Sequence, residues 1–226
     1  MKFRQINSEE ELAKLVSEVG FLPFFKNTVE GFSIEECTPS KLWFSDELDG
    51  PWEWKGPVAR RKDCIYGKFF CGRAGFVSLD WVLDFINFRR NGYDFDARYD
   101  DGLAPAKDKF LYDTVAEHGE LLSKELKRLC NYGKGGNKGF DSIMTRLQMQ
   151  SYLVIADFEY MRDKAGNAYG WGVAKYATPE YILGAGKVKG AYAREPEESG
   201  RRIMEYLMKL LPHASEKQLM KLLGTS

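Results

Sequence analysis

Three stretches of the sequence carry side chains whose types and spacing suggest chemistry. In "DGPWEWK", Asp49, Glu53 and Lys55 echo the carboxylates and lysine with which metal-dependent nucleases hold Mg²⁺ and steady a nucleophile. That chemistry wants its acids on adjacent strands. Here both lie in one Gly/Pro-rich stretch, which reads as solvated charges beside two anchoring tryptophans, Trp52 and Trp54. The loop "GKGGNKG" (133–139) invites a phosphate-cradling reading, but it lacks GK[ST] at the required spacing and no strand precedes it. It reads as a flexible turn whose Lys134 and Lys138 can meet a nucleic-acid backbone. Asp94, Asp96, Asp100 and Asp101 suggest a calcium loop, yet the positions needing Gly and Glu are Tyr99 and Pro105. Residues 90–106 therefore read as a solvated, turn-rich connector.

Other metal chemistry is poorly supplied. Cys37, Cys64, Cys71 and Cys130 form no CxxC, and His118 and His213 are the only histidines. No metal or cofactor is expected, and the cysteines read as reduced thiols. The 33 basic and 33 acidic residues cancel, so any contact with nucleic acid has to come from a local patch. An apolar share of 44% suffices for a core, while no apolar leader or long apolar run appears. A cytoplasmic chain with no membrane partner is the expectation.

The elements that must position these residues fall in a definite order. Ser8 and Glu11 have capping-box spacing ahead of a helix that Gly20 stops. Residues 21 to about 104 are crowded with aromatics, with strands expected around 64–70 and 75–77 and a helix from Leu79 to about Arg90. Such a region is a core, or a pocket that stacks a flat ligand. Glu53, Asp63 and Asp80 are its candidate carboxylates, and nothing selects one of them. From Pro105 a helix carries Phe110, Leu111, Thr114 and Val115 on one face. A turn at "EHGE" and a helix capped by Ser123, burying Leu122, Leu126 and Leu129, follow. A third helix buries Phe140, Ile143, Met144 and Leu147. It runs into the strand "YLVIADFEYM", a long turn and the strand "WGVAKYA", which Thr178 and Pro179 end.

Three helices leading into a β-hairpin is winged-helix order. The expected fold is thus α+β: a winged helix-turn-helix over 105–184, an aromatic-rich α/β segment over 1–104, and a C-terminal helical pair over 185–226, all able to pack as one unit. In a winged helix the third helix enters a major groove. Its outward face carries Lys138, Ser142, Thr145 and Met149, flanked by Arg146, at about 100° per residue. Between His118 and Gln150, six basic and three acidic residues leave a local excess of +3. The expected DNA-binding residues are Lys134, Lys138, Ser142, Thr145 and Arg146, with Arg162 and Lys164 at the wing turn. Winged helices also dock proteins, so another protein stands beside double-stranded DNA as a candidate partner.

The blocks "GFLPFF", "PWEWKGPVAR", "YGKFF", "AGFVS", "NGYDFDA", "DDGLA", "RLQMQSYLVIADF" and "YGWGVAKY" together resemble a bacterial family of AlkZ-related proteins, over nearly the whole chain. That family is similar to AlkZ-type DNA glycosylases, which are built from winged helices and excise alkylated or crosslinked bases. The resemblance implies a DNA-repair-like scaffold. AlkZ-type enzymes position the attacking water with Gln-x-Gln or Gln-x-Asp early in the chain. Here Gln148-Met149-Gln150 lies late, and on a helix the two amides point about 200° apart. They are expected to bond across the helix–wing junction or to face solvent. The leading reading is an accessory DNA-binding protein. A glycosylase-like repair enzyme and a protein-interaction module remain alternatives, and catalytic residues stay unassigned.

Overall fold

The computed structural model describes residues 3–45, 47–162, 164, 166 and 168–224, with 161–162 and 168–171 described by their backbone alone. Helix α1 (Glu9–Val19) starts where the Ser8 hydroxyl accepts the Glu11 N–H at 3.3 Å. The Glu11 carboxylate reaches back to the Asn7 N–H instead of that of Ser8, at 2.7 Å. Gly20 ends the helix at φ 74°, where a Cβ would also lie 2.5 Å from the Trp81 ring. Strand β1 (Phe21–Pro23) follows, then a short α2 (Ile34–Cys37) capped by Ser33.

The stretch read as Gly/Pro-rich surface is helix α3 (Pro51–Arg60). Pro51 fits its first turn, where no N–H partner is needed, and the Glu53 carboxylate accepts the Gly50 N–H at 2.9 Å. Pro57 is tolerated inside it at the loss of one backbone bond. Strands β2 (Cys64–Phe70) and β3 (Arg73–Ser78) form a hairpin close to the expected positions, and β1 adds to β3, giving the antiparallel order β1-β3-β2. The β2–β3 register shifts between Gly67 and Phe70.

Helix α4 (Val82–Arg90) ends at Asn91 in the left-handed conformation. The supposed connector then contains helix α5 (Phe95–Asp100), because the Asp94 carboxylate caps the Ala97 N–H at 2.8 Å and Phe95 is buried. Helix α6 (Ala106–His118) buries Leu111 and Val115, whereas Phe110 is half exposed. The chain turns within "EHGE" as expected, with α6 ending at Gly119 (φ 77°), but Glu120 then opens a short strand that was not expected, β4 (Glu120–Leu122). Leu122 thus occupies the cap position of α7 (Ser123–Leu129), and Ser123 is its first residue. Leu126 is buried there and Leu129 is partly exposed.

Helix α8 (Phe140–Met149) buries Phe140, Ile143, Met144 and Leu147 as the periodicity requires, and leads into β5 (Val154–Arg162) and β6 (Ala168–Ala177). The second sheet is antiparallel with order β4-β6-β5. Thr178 ends β6 and at once caps α9 (Pro179–Leu183), accepting the Tyr181 N–H at 3.1 Å, and α10 (Ala185–Lys189) follows. The C-terminal helices are α11 (Pro196–Leu210) and α12 (Glu216–Leu223), the latter with a full capping box between Ser215 and Gln218.

One apolar cluster runs from Ile6 through both sheets to Leu223. Tyr66 of β2 meets Phe158 of β5 edge-on at 5.9 Å, joining the sheets. Arg90 joins them more strongly. Its guanidinium is 1% exposed and donates to Glu180 at 2.6 and 3.3 Å, to the Tyr192 hydroxyl at 2.9 Å and to the Ser151 carbonyl at 2.9 Å. It also lies 4.7 Å from the Tyr152 ring. Burial works against its charge, but the Glu180 hydrogen bonds and charge prevail and hold its pKa above the ordinary value. Replacing one partner of such a pair strands the other charge, at a cost of roughly 3–5 kcal/mol. Glu180→Gln should therefore lower unfolding free energy strongly in a urea titration, and a loss below about 1 kcal/mol would show that the pair is not a fold determinant.

Candidate functional site

Around α8 the structure sorts the expected DNA-binding residues into engaged and free groups. Arg146 points to α6: its Nε and Nη2 donate to the two carboxylate oxygens of Asp108, each at 2.6 Å. Asp108 is 2% exposed, so this bidentate pair supplies the partner that a buried carboxylate needs, and its hydrogen bonds raise the Arg146 pKa. Thr145 donates to the Asp141 carbonyl at 2.8 Å and accepts from the Lys68 ammonium at 3.2 Å. The turn between β2 and β3 covers the same side: an added Cβ at Gly72 would meet the Thr145 methyl at 3.3 Å and the Met149 sulfur at 3.8 Å. The carboxy-terminal half of α8 is thus clasped between α6 and the first sheet.

Its amino-terminal turn is open. Ser142, Lys138 and Lys134 are exposed, and neither lysine forms an ion pair among the described residues. Two nearby lysines are engaged, Lys127 with Asp141 at 3.5 Å and Lys124 with Glu159 at 4.0 Å. Lys164 is exposed between β5 and β6, and the Arg162 side chain lies outside the described residues.

Gln148 is fully buried and bonds neither across the helix–wing junction nor to solvent. Its Oε1 accepts the Lys68 N–H at 3.1 Å, and its Nε2 donates to the Met144 carbonyl at 2.9 Å. Lys68 sits where the β2–β3 register shifts, so the glutamine satisfies a backbone donor beside the irregularity in the ladder. Gln150 terminates α8, its N–H donating to the Arg146 carbonyl at 3.0 Å. The pairing of Gln148 with a residue 80 positions away left no mark in the sequence.

Asp49, Glu53 and Lys55 do not assemble a metal site. Among the described residues no group of three or more His, Cys, Asp or Glu side chains could hold an ion. Glu53 is committed to the start of α3, while Lys55 turns inward and is 6% exposed. Its ammonium donates to the Tyr160 hydroxyl at 3.3 Å and to the Trp52 carbonyl. It lies 4.4 Å from the Phe158 ring centroid and 5.2 Å from that of Trp52. Burial without a carboxylate in contact lowers its pKa to about 8, the charge of Glu53 opposing the shift only in part.

A family profile described as "AlkZ related" matches residues 6–224, which spans both sheets and every helix. The chain belongs to the AlkZ-related family. No curated protein and no solved structure matches it. In the Gln-x-Gln stretch, Gln148 has its oxygen and its amide nitrogen bonded inside the core. Among the described residues, no helix is long and apolar enough to cross a membrane.

Two outcomes test these assignments. Gln148→Leu keeps the volume and strands the Lys68 N–H, so unfolding free energy should fall by about 1–3 kcal/mol. An unchanged denaturation midpoint would remove its bridging role. For Lys55, the unfolded ammonium titrates near 10.5 and the folded one near 8, so the unfolded chain binds more protons between those values. The Lys55 contribution to stability should rise as pH increases from 8 to 10.5. Lys55→Met should remove that rise and stabilise the protein at pH 7 by roughly 1–2 kcal/mol; parallel stability–pH curves for variant and parent would contradict it.

Proposed function

We propose that residues 105–184 form a winged helix that binds double-stranded DNA, in a protein linked to DNA repair. The observation that carries this reading is the strand order β4-β6-β5, with β4 between the first and second helices of the segment and α8 feeding the β5–β6 hairpin. The short β4, paired with the returning strand, is the piece that a helix–turn–helix with a wing requires beyond its three helices. Family membership supports the DNA assignment, since the AlkZ-type glycosylases for which the family is named act on DNA and are built from winged helices.

The contact is made by the open end of α8. Lys134, Lys138 and Ser142 are the groups there with no ion pair or hydrogen bond among the described residues, and Lys164 extends the surface onto the wing. Arg146 and Thr145 hold the helix in position through Asp108 and Lys68, at the edge of the interface. Exposed lysines without carboxylate partners suit phosphate contacts, which set affinity more than sequence choice.

Fluorescence anisotropy with labelled duplex DNA at two salt concentrations tests the proposal, with undamaged and abasic-site duplexes compared. Salt-sensitive binding is expected. The double variant Lys134→Glu, Lys138→Glu should bind at least roughly tenfold more weakly, with a salt slope shallower by about 2. Absence of duplex binding at low salt would refute the reading and favour a protein partner for the same surface.

A further inference from the structure

Two clefts on the N-terminal half share a wall, and their chemistry differs in a way that matches the two ends of one small molecule. The first, about 360 Å³, is lined by the aromatic rings of Phe25, Trp43, Phe44 and Trp52 together with Glu35. The second, about 430 Å³, carries Lys26, Arg73 and Lys221 and no carboxylate. Phe25 and Lys26 line both. Volumes of roughly 300–1,000 Å³ are typical of small-molecule sites.

The junction between the clefts is fixed by backbone bonds. The Lys26 N–H donates to Glu35 Oε2 at 2.9 Å, and the Lys26 carbonyl accepts from Arg73 Nη1 at 3.0 Å. One residue therefore ties the acidic edge of the aromatic cleft to the cationic cleft. None of Lys26, Arg73 and Lys221 is in an ion pair among the described residues. In the aromatic cleft, Phe44 is 84% exposed, a large apolar surface left in water. The buried indole N–H of Trp43 has no hydrogen-bond partner among the described residues. A flat heterocycle would cover the rings and donate to Glu35; an attached phosphate would meet the three cations.

We propose that the paired clefts bind one nucleotide, its base among Phe25, Trp43, Phe44 and Trp52 and its phosphate against Lys26, Arg73 and Lys221. A free mononucleotide and an unpaired nucleotide within a strand present this same chemistry. The site does not depend on the winged-helix reading, because no residue of 105–184 lines either cleft.

The test is titration of the full chain with AMP, adenosine, inorganic phosphate and a short single-stranded oligonucleotide, followed by tryptophan fluorescence. AMP or the oligonucleotide should quench emission as the base stacks on Trp43 and Trp52, and phosphate alone should not. Phe44→Ala, at an exposed position, should weaken binding about tenfold, as expected for one base–aromatic stack. Lys221→Glu should weaken AMP or oligonucleotide binding comparably and leave adenosine binding unchanged. Response to AMP assigns the free nucleotide, and response to the oligonucleotide alone assigns a strand. If neither quenches, or if both variants bind like the parent, the proposal fails. Retained AMP binding in the Lys134→Glu, Lys138→Glu variant would separate this site from the duplex-binding surface.

Discussion

A charged guanidinium buried among aromatic rings imposes strict demands on everything near it. Arg90 ends α4 in the N-terminal half, yet its partners come from α9, from the 3-10 turn that holds Tyr192, and from the carbonyl of Ser151 just after α8. Desolvating an ion costs several kcal/mol, and the bonds from the two terminal nitrogens offset it although the buried Nε has no partner among the described residues. The arrangement of the two sheets is therefore coupled to the geometry of one side chain. Tyr152 and Tyr192 both donate to the Tyr93 carbonyl, at 3.0 and 3.1 Å, so the loop that follows α4 is drawn into the same network.

The second seam lies where α8 crosses β2. Gln148 and Thr145 hold Lys68 by its backbone and its ammonium, while Arg146 is held on the other flank by buried Asp108. This clasp bears on the proposed DNA contact. A helix free along its outer face can lie deep in a groove, whereas α8 has its carboxy-terminal half occupied and presents mainly its first turn and the loop before it. Lys134 and Lys138, which form no ion pair among the described residues, lie there in solvent beside the glycine-rich loop.

In the aromatic half, rings serve both as filler and as surface. Phe24 is buried and packs edge-on against Trp43, with ring centroids 5.7 Å apart, while Phe44 next to it in sequence stands in water. Packing explains the first and not the second. The same half encloses an ammonium, Lys55, in a cage of Trp52, Phe158 and Tyr160, where ring faces replace the carboxylate that a buried lysine normally finds.

Periodicity and capping chemistry were enough to read α1, α6, α8, the β2–β3 hairpin, the β5–β6 hairpin and the two C-terminal helices, because each buries a regular stripe or carries a local cap. The family was also legible, in blocks spread along the chain. Elements whose reason is non-local were not: β4 is a short strand that nothing announces until β6 pairs with it, and α3 is hidden by its prolines although Pro51 suits a first turn. The sequence by itself determined the order of the longer amphipathic helices and the family to which the chain belongs. Only the tertiary structure decided which polar side chains are free. Arg146 and Gln148 look available for chemistry on an isolated helix; they are engaged because Asp108 and the irregular stretch of β2 are buried against them, and a buried carboxylate or N–H must be satisfied by whatever neighbour the fold brings within reach.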